Sequence, residues 1–337
     1  MIKQTSEQEK NGLKKYFSLL YFNSLQKYIS EVIIIFRNKC NILFEIISKG
    51  KQEELVMNLK NILIAVIAFV ALVSTADGQT KENSFRVEKI GNGKQNILFI
   101  PGFASSGDVW KETIEGLGDD YTYYVLTMPG FASVPAQTDP TFKGWRDEII
   151  NFIKTDNINN PIIIGHSMGG GLAMSIAAAE PKLISKIVVV DAVPCLAALS
   201  DPNFKSNPNY DCSPMVNQIK SLSDEQFRAM QKQGMAGMVQ DTSKQNLIVD
   251  WSMKSDRATF GKMFCDFSNT DLRDEIKTIE CPALILLESS FIRIKPAIEQ
   301  QYSNLKTADL SYADHSLHFI MYDAKDWYMQ QVQNFLK

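Results

Sequence analysis

The sequence predicts an α/β architecture: a mostly parallel central sheet with helices on both faces and an inserted helical lid. Three observations carry this. From Gln95 onward, short apolar β-branched runs alternate with helix-forming segments, the rhythm of βαβ units whose strands are buried on both faces. Residues 161–175 read as a strand, a sharp Gly-x-Ser-x-Gly turn and an Ala-rich helix. Between 193 and 277 strands give way to helical segments rich in Met and aromatic residues.

Composition sets the bounds. The chain has 337 residues, 45% hydrophobic and 22% charged, enough for one large α/β domain. A net charge of −3 without a basic block argues against nucleic acid, whose phosphates need concentrated Lys and Arg.

The front of the chain differs from the rest. Met57-Asn-Leu-Lys60 is followed, after one residue, by twelve unbroken apolar residues at 62–73 and then by Ser74-Thr-Ala76-Asp-Gly78. A basic start, an apolar run short for a bilayer and a small-residue site make a secretory signal peptide at 57–76, cut after Ala76 or Gly78. The competing reading is an uncleaved membrane anchor. Because signal peptides lead a chain, translation is expected to start at Met57, leaving 1–56 as an untranslated extension; the alternative is a membrane-proximal extension, since 32–36 and 42–47 are largely apolar. Cleavage after Ala76 leaves 25 basic and 32 acidic residues, net −7. The expectation is an exported protein, periplasmic or secreted, with its folded domain over 77–337 and no stable membrane insertion. Cys195, Cys212, Cys265 and Cys281 remain, and an oxidising compartment permits a bridge. Cys281 precedes a strand and reads as a core thiol, while a Cys195–Cys212 link is one of three pairings.

The mature elements follow in order. Residues 84–90 suit an edge strand, Gly91-Asn-Gly93 a hairpin turn, and 95–100 a buried strand ending on the loop Pro101-Gly-Phe-Ala-Ser. A helix starts near Val109 and Trp110. The strand at 121–128 ends on a second Pro-Gly-Phe-Ala-Ser segment, read as similar turn chemistry at two strand ends rather than duplication. Trp145, Ile149, Phe152 and Ile153 share one side of a helix at 142–154. Strands are predicted at 162–164, 187–190, 283–287 and 308–312. Within 193–277, helices at 224–233 and 241–253 form the lid, and Met230, Met235, Met238, Met253 and Met263 suit an adaptable apolar wall. A helix at 296–302 and a closing helix capped by Asp323, with Tyr328, Val332 and Phe335 on one face, complete the chain.

The elbow carries the chemistry. Side chains at positions 165 and 169 would collide with the neighbouring strand or helix, so glycine stands there and the Ser167 hydroxyl is pushed out at the strand's carboxyl end. The following helix aims its N-terminus at the same spot, so the Met168 N–H can donate to an oxyanion. A serine needs a base, and the base needs an acid that fixes its tautomer. There are three histidines: His166 on the elbow, its side chain directed away from Ser167, and His315 and His318 after the last strand. No metal or other cofactor is implied, because neither His-x-x-x-His nor Cys-x-x-Cys occurs.

With Gly165-His-Ser-Met-Gly169-Gly170, Pro101-Gly102-Phe103, Pro129-Gly130 and His318-Phe-Ile-Met-Tyr-Asp323 assembled, residues 85–337 resemble the α/β-hydrolase superfamily. The resemblance implies His318 as base, placed before the closing helix, with His315 a loop residue. Relatives often carry their acid as Gly-x-x-Asp after the strand 283–287, where this chain reads Glu288-Ser-Ser-Phe291; others place it after the strand following the nucleophile helix, here Asp191. Asp191 is taken first and Glu288 kept as the alternative. The Phe103 N–H is the expected second oxyanion donor. A dehalogenase would need a carboxylate at Ser167. The expected activity is a serine hydrolase cleaving a carboxylic ester or thioester of a small-molecule acyl substrate through an acyl-enzyme. The alternatives are an amide or peptide hydrolase using Asp241, Asp250 or Asp256 to hold an amine, and a non-catalytic ligand-binding protein.

Overall fold

The computed structural model describes residues 83–337. The extension expected at 1–56 and the signal segment at 57–76 lie outside the described residues. Seven strands form one sheet: β1 (Arg86–Ile90), β2 (Gln95–Ile100), β3 (Tyr121–Thr127), β4 (Ile162–His166), β5 (Lys186–Val190), β6 (Ala283–Leu287) and β7 (Ala308–Tyr312), in the order β1-β3-β2-β4-β5-β6-β7. All pair in parallel except β1, which runs antiparallel to β3. β1 therefore does not pair with β2, and the hairpin expected at Gly91–Gly93 is absent. The connection instead carries β1 past β2 to the outer edge of β3, with the Gly93 N–H donating to the Tyr121 carbonyl at 3.2 Å.

The central strands are apolar throughout because both faces are covered. On one face Leu98, Ile100, Ile163 and Val189 pack with Trp145, Ile149 and Phe152 of α2 (Phe142–Thr155) and Leu172 of α3 (Met168–Ala179). On the other, Ile97, Phe99, Ile164 and Val188 meet Trp110, just before α1 (Lys111–Leu117), and Tyr328, Val332 and Leu336 of the closing helix.

Between β5 and β6 the chain forms α4 (Ser213–Ser221), α5 (Asp224–Met235), α6 (Thr242–Met253) and α7 (Arg257–Ser268). Ser223 and Gln226 close a capping box on α5, while Asp241 and Asp256 cap α6 and α7, each satisfying N–H groups the first turn leaves free. The disulfide joins Cys212 to Cys265 rather than Cys195 to Cys212. It ties the start of α4 to α7; Cys195 and Cys281 are buried thiols.

After β6 come α8 (Lys295–Gln301), β7, the short α9 (Ile320–Asp323) and α10 (Lys325–Leu336). Asp323 does not cap the closing helix, whose N-cap is Ala324. Its carboxylate instead accepts from the N–H groups of Gln240 and Leu317, at 2.9 and 3.0 Å, tying the segment after α5 to the loop before His318. Phe335 is only half-buried, and Leu336 takes its place in the core. Among the described residues no helix is long and apolar enough to cross a membrane.

Candidate active site

The strand order decides where the polar side chains meet. β2, β4 and β5 are neighbours, so the loops after them, bearing Phe103, Ser167 and Asp191, stand side by side at the carboxyl edge of the sheet. Ser167 has φ 53° and ψ −121°, left-handed backbone that a residue with a side chain adopts only when its surroundings hold it there. Its N–H donates to the Val190 carbonyl at 2.9 Å, and its carbonyl accepts from Gly171 at 3.0 Å. A Cβ on Gly165 would run into the Gly169 backbone, and one on Gly169 would strike the carbonyl of Ile100. The two glycines thus let α3 start hard against β2 and β4, as the sequence led us to expect. Met168, first residue of α3, is buried at this corner, and Phe103 lies on the same cavity wall as Ser167.

Asp191 also sits at positive φ, 47°, directly after β5. Its side chain is almost wholly buried, with Oδ2 2.6 Å from Nδ1 of His318. Oδ1 accepts the Glu288 N–H at 2.7 Å, the Asp191 N–H donates to the Leu286 carbonyl at 2.7 Å, and the Tyr302 hydroxyl pins the next carbonyl, that of Ala192, at 2.6 Å. Burial pushes the Asp191 carboxyl upward, while the imidazole bond and the Glu288 N–H pull it back. Glu288 turns its own carboxylate to the Ser290 hydroxyl, not to the imidazole. Burial, and then the charge of Asp191, push the Glu288 carboxyl up as well. Of the two candidate acids, the structure therefore brings Asp191 to His318 and gives Glu288 a supporting contact through its backbone.

His318 and Ser167 both line the cavity, and the serine hydroxyl makes no hydrogen bond to the ring in this structure. Nucleophile–base bonds in hydrolytic sites are often long until substrate is bound. His315 is exposed.

His166 has more to do than the sequence suggests. It is fully buried, its Nε2 lies 3.0 Å from the His318 carbonyl, and its ring stands 4.6 Å from the rings of both His318 and Phe319. A carbonyl only accepts, so Nε2 carries the proton and Nδ1 is left without a protein partner. Burial, followed by the neighbouring His318, holds this imidazole well below its usual range and therefore neutral. A histidine inside Gly-x-Ser-x-Gly gives no hint of a partner 152 residues away, and only the folded topology shows it.

A model of the alpha/beta hydrolase fold matches residues 95–258, from β2 to the start of α7. The chain has the α/β-hydrolase fold. The match spans Ser167 and Asp191, and His318 lies beyond it. Among solved structures, an enol-lactonase of Burkholderia xenovorans superposes with a TM-score of 0.63 over 75% of this chain and 96% of that one, at 15% identity, a likeness of fold. A pimeloyl-[acyl-carrier protein] methyl ester esterase of Edwardsiella ictaluri is 22% identical over 195 residues, 58% of this chain and 74% of its own. The dihydrolipoyllysine-residue acetyltransferase component of the acetoin cleaving system of Cupriavidus necator is 31% identical over 109 residues, 32% of this chain, and the chain spans only 29% of that protein.

The cavity above the strand ends is about 670 Å³ and largely apolar. Phe103 lines it, and edge-on rings of Phe131, Phe260 and Phe264 stand around the Phe103 ring at 5.2, 4.5 and 5.6 Å. Of the methionines expected to form a wall, Met230, Met235 and Met238 reach the cavity. Met263 is buried in the core and Met253 packs against it, while Met215, unforeseen, joins the lining. None of the three aspartates considered as amine holders lines the cavity. Asp241 and Asp256 are spent as helix caps, and Asp250 pairs with Arg228 at 3.1 Å.

Proposed function

We propose that this α/β-hydrolase cleaves carboxylic esters, or thioesters, through an acyl-enzyme on Ser167. The observation that carries the reading is the 2.6 Å contact between Asp191 Oδ2 and His318 Nδ1 beside a cavity that Ser167 also faces from a strained elbow. Asp191 holds the proton on Nδ1, which leaves Nε2 as the acceptor for the Ser167 proton. The alkoxide attacks the ester carbonyl, the N–H groups of Met168 and Phe103 receive the oxyanion, and the imidazolium returns its proton to the leaving alcohol or thiol. Water then repeats the sequence on the acyl-enzyme. The esterase named among the relatives supports this bond type. The absence of an acidic lining residue among the three considered removes the support for an amine-binding peptidase.

The four helices α4–α7 act in this reading as a lid, an insertion over about 193–277 in a hydrolase domain at 77–337. Export is the matching location: the Cys212–Cys265 bridge suits an oxidising compartment. The mass of the N-terminal peptide of the mature protein tests this, and a peptide from residues 1–56 or 57–76 would count against cleavage.

The activity test uses protein beginning near Asp77, a fluorophosphonate probe and aryl esters of graded chain length. Labelling and turnover that disappear in Ser167→Ala and in His318→Ala are the expected result. A wild-type protein that neither labels nor turns over any ester would end the catalytic reading.

A further inference from the structure

Gln231 on α5 and Ser252 on α6 stand out within the cavity. Both line it, both are more than nine-tenths buried, at 8% and 2% exposure, and neither side chain hydrogen-bonds to the protein among the described residues. Their neighbours behave otherwise. Gln226 closes the capping box of α5, and Gln245 on α6 donates to the Val239 carbonyl at 2.8 Å. Neither is among the polar atoms sealed in the core without a partner; their amide and hydroxyl open onto the cavity, where a bound group can complete their bonding. The cavity they line is mostly apolar, with Met230, Met235, Ile248 and Phe260 also in its wall. Among the described residues no lysine or arginine lines the cavity; Arg228 is paired with Asp250, and Arg257 lies over the Phe227 ring and pairs with Asp224.

We infer that Gln231 and Ser252 form a neutral polar subsite that receives a hydroxyl or carbonyl group of the substrate away from the scissile ester. An amide offers both a donor and an acceptor, and so does a hydroxyl, so the pair can serve either group. A carboxylate is excluded from this subsite on energetic grounds: it would be desolvated in an apolar wall with no cation to meet it. The substrate class is therefore an ester of intermediate length carrying an uncharged oxygen function. This inference rests on the esterase reading, and its test separates the two.

Ser167→Ala protein is titrated with three methyl esters of equal length: one ending in a methyl group, one in a hydroxyl and one in a carboxylate. The hydroxyl ester should bind about tenfold tighter than the other two. Gln231→Leu in the same background should erase that preference, and Ser252→Ala, a change too small to disturb the packing, should narrow it. Binding of the methyl- and hydroxyl-ended esters with equal affinity, or tightest binding of the carboxylate, overturns this inference alone. Failure of all three to bind, with no fluorophosphonate labelling of the wild type, overturns it together with the esterase reading.

Discussion

The edge of the sheet and the four helices above it are built by different rules. At the sheet edge the chemistry-bearing residues are fixed by backbone: positive φ at Ser167 and Asp191, a Glu288 N–H on one carboxylate oxygen, and glycines whose missing side chains let α3 touch β2. The helices are held by exposed caps, ion pairs such as Arg228–Asp250, methionine packing and one disulfide. Reacting atoms must stay within a fraction of an ångström of their working geometry, which rigid main chain supplies. A wall that only shapes a cavity can use flexible side chains. The two regions should therefore fail differently when altered.

The deepest break is at the elbow. Ser167→Ala should lower kcat by about a million-fold, as loss of a triad nucleophile does, with the fold intact by circular dichroism. Asp191→Asn comes next. It should cost about ten-thousand-fold in kcat because the amide favours the wrong imidazole tautomer, whereas Glu288→Gln should stay within roughly threefold, since its backbone N–H persists. The reverse ranking would move the acid to Glu288. Replacing Cys212 and Cys265 by serine attacks the other region. The bridge spans 53 residues, so its loss should cost about 4 kcal/mol of stability in denaturant titration while leaving fluorophosphonate labelling of the folded enzyme in place. Loss of labelling in the folded variant would show that the helices also set the geometry of the reacting groups.

The smallest effect is a slope. His166 is buried and neutral, so its folded pKa lies below the value near 6.5 that it regains on unfolding. Its contribution is present above that value and is lost as pH falls, because the unfolded chain takes up a proton that the folded one refuses. Below pH ~6 it should make stability fall by about 1.4 kcal/mol per pH unit. His166→Gln should flatten the decline, measured by denaturant titration at several pH values, and an unchanged slope would refute the assignment.

The sheet was legible because most of its central strands are short apolar runs and several strand ends are marked by Pro, Gly or Asp. The elbow was legible from its Gly-x-Ser-x-Gly turn at such a strand end, whereas Asp191 was taken first because the resemblance implies an acid after the strand that follows the nucleophile helix. β1 is the edge strand the sequence predicts, but its partner was misjudged, because Gly91-Asn-Gly93 looks locally like a hairpin and only the sheet order shows the strand crossing to β3. The disulfide pairing depended on α4 and α7 packing together, which cysteine spacing does not encode. Asp323 looked like a cap because it stands just ahead of the closing helix, yet Ala324 is the N-cap and the Asp323 oxygens are taken by Gln240 and Leu317. Gln231 and Ser252 gave no signal in sequence: a glutamine and a serine on amphipathic helices look like any others until the cavity is seen.

The hydrogen bond from the His166 ring to the main chain of His318 has a consequence for motion. The residue beside the serine holds the backbone of the residue proposed as that serine's base. When the chain after β7 drifts, the imidazole is tethered to the end of β4 and cannot drift freely with it. The relative placement of the two reacting groups is thereby shielded from the breathing of the loop that carries one of them.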